Sequence, residues 1–94
     1  MRLSKKYPQP HSQVAARVID GQAIIITPLS GEIRILNEVG TRIWELADGR
    51  HSAEQIVAIL MSEYAVSRDE AERDVIEFIE GLAAKQILVL SEHP

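Results

Sequence analysis

Residues 33–49, Ile-Arg-Ile-Leu-Asn-Glu-Val-Gly-Thr-Arg-Ile-Trp-Glu-Leu-Ala-Asp-Gly, restrict the choice of fold most, because their apolar period changes at Asn37. Before Asn37 apolar and polar residues alternate, as on a strand; after it Val39, Ile43, Trp44 and Leu46 recur at helical spacing. A strand must therefore run straight into a helix over about residues 38–47, with Asn37 as its N-cap and Gly49 as its left-handed stop. The joint carries the only Trp and no plausible nucleophile, metal cluster or phosphate loop. It reads as a positioning device, with Trp44 expected to anchor the core.

Upstream, residues 14–19 are extended in pattern, and Asp20-Gly21 supplies the two positive-φ positions of a tight hairpin turn. Residues 23–27 are rich in β-branched side chains, and Pro28-Leu29-Ser30-Gly31 separates them from a third run over residues 32–36. The simplest arrangement is a three-stranded antiparallel meander. Downstream, Ser52-Ala53-Glu54-Gln55 is a capping box that opens a helix reaching about Tyr64, with Ile56, Ile59, Leu60 and Tyr64 on one face. Ser67-Arg68-Asp69-Glu70 repeats the device, and Ala71, Val75, Phe78, Ile79 and Leu82 follow on a third helix over residues 68–84. The expected fold is α+β, a three-stranded antiparallel sheet followed by three helices (βββααα), winged helix-turn-helix-like in arrangement. Residues 1–12 read as a flexible tail, 13–90 as one domain and 91–94 as a C-terminal tail; residues 86–90 suit either a short strand or an irregular segment packed on the core.

Ninety-four residues with 46% hydrophobic content close one small core. Cysteine is absent, which removes disulfides and thiolate metal sites, and the N-terminal stretch lacks the apolar run of a signal peptide. No apolar run approaches the roughly 20 residues that span a bilayer. The expectation is a cytoplasmic protein with no membrane association. Charge is divided unevenly: residues 1–37 hold five Lys/Arg and two Asp/Glu, and residues 38–94 hold five and twelve.

Taken together, Leu36-Asn37, Gly40, Ile43-Trp44, Leu46, Asp48-Gly49, Ser52, Glu54, Ile56, Tyr64, Asp74-Val75, Phe78, Ile79 and Leu82 resemble the PqqD family, over about residues 13–90. The resemblance implies a peptide chaperone that recognises ribosomally made precursor peptides, with no catalytic activity and no cofactor of its own. The precursor's leader segment would add a strand to the third β-strand and lie against the third helix, for delivery to a modifying enzyme, a radical SAM enzyme being one candidate. The strict pyrroloquinoline-quinone members carry a Pro-Glu pair between the second and third strands, where this chain has Pro28-Leu29-Ser30-Gly31. Lasso-peptide, thioether and other peptide-modifying systems therefore stay open beside pyrroloquinoline quinone biosynthesis.

An edge strand offers unpaired N–H and C=O groups, and an incoming peptide satisfies them while its alternate side chains enter pockets. The expected peptide-binding residues are Glu32, Ile33, Arg34, Ile35 and Leu36 on the strand, with Asp74, Ile76, Glu77, Glu80 and Gly81 on the helix. Period two sets Ile33 and Ile35 on one face, expected to be the core face, which leaves Arg34 as the best-placed charged contact. Ile76 is expected to be an exposed apolar outlier that a peptide covers, Gly81 to allow close approach, and the acidic side chains to steer basic leaders.

Two other classes compete. A winged helix can read DNA, but between Ser67 and Lys85 three cations face six carboxylates, unfavourable against phosphates, so no nucleic-acid partner is expected. The open strand can instead pair edge to edge in a homodimer. His11, His51 and His93 are scattered and the serines sit at caps, so no catalytic or metal-ligating residues are proposed.

Overall fold

In the computed structural model, which describes residues 5–27 and 30–94, local capping rules decide where the helices begin. The Asn37 side chain accepts the Gly40 N–H at 2.8 Å and opens α1 (Glu38–Leu46). Ser52 and Gln55 exchange both bonds of a capping box at the start of α2 (Ala53–Glu63). At α3 (Arg68–Ala84) only half of the expected box forms: Ser67 Oγ accepts the Glu70 N–H at 3.1 Å, without the return bond from Glu70. Gly49, at φ +83°, lets the chain leave α1, and its N–H donates to Pro8 O at 2.9 Å.

The strands are β1 (Tyr7–Pro10), β2 (Ala15–Ile19), β3 (Gln22–Thr27), β4 (Glu32–Ile35) and β5 (Leu88–Ser91). β2, β3 and β4 form the expected antiparallel meander, turned at Asp20 (φ 52°) and Gly21 (φ 77°), the two positive angles of a type I′ hairpin. Pro28 and Leu29 of the expected second turn, and residues 1–4 of the expected tail, lie outside the described residues.

β1 corrects the reading of residues 1–12 as a loose tail. Tyr7–Pro10 pairs antiparallel with β5, Pro8 opposite Leu90, in a second, two-stranded sheet. Leu88–Ser91 is thereby settled as a strand that extends past the expected domain end at residue 90. Prolines fit this ribbon because an edge strand can do without some of its N–H donors. Ala53 N–H donates to Lys6 O and His11 N–H to Ile87 O, both at 2.9 Å, and Lys6 pairs with Glu92, so the N-terminal segment is strapped across the helices.

One core joins these parts. Ala23 and Ile25 from β3 meet Ile43, Trp44 and Leu46 of α1, Ile56, Val57 and Leu60 of α2, Val75, Ile79 and Leu82 of α3, and Ile87 and Leu88. Trp44 is 9% exposed, a core anchor as its spacing implied. On α1's solvent side, Arg42 forks onto Glu63, Nε and Nη2 each 2.7 Å from a carboxylate oxygen, and so ties α1 to the end of α2. That bidentate bond raises the guanidinium pKa and lowers that of Glu63.

Candidate functional site

The strand-to-helix joint is held by a residue with no distinctive pattern in the sequence. Thr41, 4% exposed, accepts the Ala23 N–H at 2.9 Å and donates its hydroxyl to Leu36 O at 3.4 Å. One side chain on the first turn of α1 thus fastens both β3 and the end of β4. Trp44 supplies apolar mass behind the joint, whereas Thr41 makes the bonds across it.

Beyond that joint, the hydrogen-bond phase of β4 follows from one contact. Leu36 N–H donates to Ala23 O at 2.9 Å, and the register continues Ile35 to Ile24, Arg34 to Ile25, Ile33 to Ile26 and Glu32 to Thr27. Main-chain groups of an antiparallel strand point alternately to either side. Arg34 and Glu32 therefore face β3, and Ile33 and Ile35 aim both N–H and C=O away from the sheet. β4 is the last strand in the order β2-β3-β4, so those four groups lie on an open edge.

The side-chain phase is the reverse of the one expected. Ile33 is 66% and Ile35 64% exposed, on the outer face of the sheet with Ile24 and Ile26. The inner face of β4 carries Glu32, Arg34 and Leu36. The reason is the register: Ala23 and Ile25 fill the inward phase of β3, and their partners on β4, Leu36 and Arg34, must share that face.

Opposite the inner face stands α3. Leu36 packs against the core, and the nearest atoms to a Cβ built at Gly40 would be Asn37 Oδ1 at 3.2 Å, Leu36 Cβ at 3.5 Å and Phe78 Cε2 at 3.5 Å. The two 3.5 Å distances are ordinary van der Waals contacts, so β4 and α3 meet α1 at normal packing distance here, and only the Asn37 cap oxygen would be crowded by a Cβ. At the other end of β4, Lys85 Nζ lies 3.9 Å from the Glu32 carboxylate. Arg34 sits between these two contacts, half-buried, its Nε shielded from water and without a hydrogen-bond partner. Next to the Leu36 end, Asn37, Val39, Gly40, Ile43, Asp74, Glu77 and Phe78 line a cleft of about 420 Å³.

The ten expected site residues are not all brought together. Asp74 and Glu77 line the cleft, and Gly81 follows them on the same helical face at the i, i+4 spacing, with open space where a Cβ would stand. Ile76 is half-buried, not exposed, and lies with Asp69, Glu72, Arg73 and Glu77 in a separate shallow depression. Glu80 is turned away from the Asp74–Phe78 face by its position on the helix. The sequence reading missed Thr41 and gave Phe78 and Gly40 no part in the groove. Gly40 carried the available signal, a glycine three residues past a cap inside a helix, where it costs helix stability.

Among the described residues, no group of three or more His, Asp or Glu side chains is placed to hold a metal, and no helix is long and apolar enough to cross a membrane. Fold and groove define a small α+β domain organised around an open, apolar strand edge with a helical wall. The chain belongs to the PqqD family: the family model, described as coenzyme PQQ synthesis protein D, matches residues 22–88. Among solved structures it is similar to TbiB1 in complex with the TbiA(beta) leader peptide, at 33% identity and a TM-score of 0.77, covering 85% of this chain and 93% of that one. It is also similar to a lasso peptide synthetase B1 complexed with the leader peptide, at 27% identity and a TM-score of 0.77, covering 88% and 98%. A third is the PqqD truncation of Methylobacterium extorquens PqqCD, a stand-alone recognition element for ribosomally synthesised and post-translationally modified peptides, at 25% identity, a TM-score of 0.70 and 87% of each chain. No curated protein matches the chain.

Proposed function

We propose that this chain binds the leader segment of a ribosomally made precursor peptide as an additional strand on β4 and presents the remainder to a peptide-modifying enzyme. The observation that carries this is the open β4 edge beside the cleft between α1 and α3, in a fold shared with two proteins solved with leader peptides. Four outward main-chain groups at Ile33 and Ile35 offer about 0.5–1.5 kcal/mol each, and the exposed isoleucines add apolar contact. After the cost of association this gives moderate affinity and tolerance of sequence, suited to a carrier that must release its cargo.

The chain performs no turnover itself in this reading and works in the cytoplasm, where precursor and enzyme meet; the helices and β2–β3 hairpin serve as a winged-helix-like frame for the groove. The enzyme belongs to pyrroloquinoline quinone biosynthesis or another peptide-modifying pathway, and a radical SAM enzyme is one candidate. The test is to titrate labelled protein with the leader of a precursor peptide encoded beside its gene. Amide shifts should gather on residues 32–36 and on the Asp74–Gly81 face of α3. Shifts confined elsewhere, or saturable binding that leaves β4 untouched, contradict the assignment.

A second reading rests on the same edge. With Ile33 and Ile35 about two-thirds exposed, two free copies can pair through β4. Sedimentation should then show a weak dimer that the leader dissociates, and a dimer unaffected by leader would place the contact elsewhere.

A further inference from the structure

Strand addition alone does not fix register, because main-chain bonds are the same after a shift of two residues. Something beside the edge must select one alignment. The inner face of β4 offers three side chains. Glu32 faces Lys85, and Leu36 is packed on the core. Arg34 has neither tie: among the described residues it forms no ion pair, and its Nε is buried without a hydrogen-bond partner. Only Nε is shielded; the residue as a whole is half-buried, so the rest of the guanidinium stays open to an acceptor from outside the domain.

The edge geometry specifies where that acceptor must come from. Ile33 and Ile35 carry the outward main-chain groups, so Arg34 occupies the non-hydrogen-bonded position towards an incoming antiparallel strand. Cross-strand residues at such positions stand closest, Cα atoms about 4.5 Å apart, with side chains on the same face. A residue paired with Arg34 therefore projects onto the inner face beside the guanidinium. A carboxylate there would accept charge-assisted bonds from the terminal Nη1 and Nη2 of the guanidinium. Nearer the cleft, Asp74 and Glu77 make the wall acidic, so an acid displaced in that direction meets repulsion.

We infer that Arg34 is the register-setting residue of the peptide site, binding one Asp or Glu carboxylate of the incoming strand at the position directly opposite it. This rests on the strand-addition reading and names its specificity: an otherwise apolar, extended segment with a single acid at a fixed place. It also revises the expectation of basic leaders. The helix disfavours acids along the wall, while Arg34 admits one.

The experiment uses an mRNA-displayed library of random dodecapeptides selected on the full chain, followed by affinities of the enriched peptides as synthetic molecules. Enriched sequences should share one Asp or Glu at a constant offset from alternating apolar residues. Replacing that acid by its amide should weaken binding about tenfold to the wild type and less than twofold to Arg34→Met, with unfolding curves confirming that the variant is folded. Arg34→Lys keeps the charge without the paired guanidinium donors, and should cut the discrimination between acid and amide at least threefold, which also serves if Arg34→Met fails to fold. Peptides that protect the Ile33 and Ile35 amides but share no acidic position, or an acid worth as much on either variant as on wild type, overturn the inference alone. If no selected peptide protects those amides, the strand-addition reading falls and the inference with it.

Discussion

The three-stranded sheet has two open edges, and they are not equivalent. Along β2 the outward main-chain groups belong to Ala16 and Val18, because Ile19, Arg17 and Ala15 bond to β3 across the Asp20-Gly21 turn; every residue of the strand is exposed. Along β4 the outward groups belong to Ile33 and Ile35, and the inner face turns towards α3, with Leu36 packed and Arg34 Nε buried. Both edges offer a ladder, but only β4 offers a ladder with a wall. An unpaired edge is a general liability of sheets; what makes one a binding site is neighbouring structure that reads the alternate side chains of whatever pairs with it.

The contrast is broken most severely by removing one outward N–H from each edge. Ile33→Pro should fold, since that N–H makes no bond within the sheet and edge strands tolerate proline, yet lose leader affinity about thirtyfold, roughly 2 kcal/mol. Val18→Pro is the matched control on β2 and should change affinity less than twofold. Equal losses at both sites, measured by calorimetric titration, would erase the distinction between the edges.

Next in size is the fastening of β4. Thr41→Val leaves the buried Ala23 N–H without its acceptor and should cost about 1–3 kcal/mol in urea unfolding. Leader binding should weaken as well, since the substitution also removes the Thr41 hydroxyl bond to Leu36 O at the end of β4. A smaller effect is expected from the pair Ile33→Thr and Ile35→Thr, whose stability should stay within about 0.5 kcal/mol of wild type because both side chains are exposed. Leader affinity should drop about threefold to fivefold. Large destabilisation would mean that the isoleucines are buried in solution.

The least effect concerns pH and tests whether stability and edge function separate. Arg42 holds Glu63 below its ordinary value of 4.5. For Asp48, burial pushes up from 3.8, but the Arg50 N–H and His51 more than offset it and the net shift is downward. A depressed folded pKa means stability present above the unfolded value and lost as pH falls through the folded one. The urea midpoint should thus be level from pH 7 to about 5 and fall below about 4.5, with Arg42→Met flattening Glu63's share. Neither carboxylate lies on a sheet edge, so the difference between β2 and β4 in leader binding should persist at pH 5.

Where local chemistry decides a feature, the sequence was sufficient. Asn37, Ser52 and the Asp20-Gly21 turn each satisfy their own backbone within a few residues, and each is found where its pattern put it. The β1–β5 ribbon was illegible because it joins the two ends of the chain and uses prolines that locally argue against a strand. The faces of β4 were misread for a different reason. Alternation shows that a strand has two faces but not which one turns inward, and here the inward phase is set by the partner residues Ala23 and Ile25 on β3. The candidate site was therefore legible as a strand edge and a helix, but not in the orientation of its side chains. Thr41 left no trace, since a threonine early in a helix looks the same whether it faces solvent or bridges two strands.

Residue-resolved amide hydrogen exchange, with and without the leader of a neighbouring precursor gene, tests the central claim most directly. In the free protein the Arg34 amide should already be slow, held by the ladder to β3, while the Ile33 and Ile35 amides exchange fast. Saturating leader should slow Ile33 and Ile35 at least tenfold and leave Ala16 and Val18 on β2 unchanged. Protection at Ala16 and Val18, or saturable binding with Ile33 and Ile35 still exchanging fast, would contradict strand addition at β4.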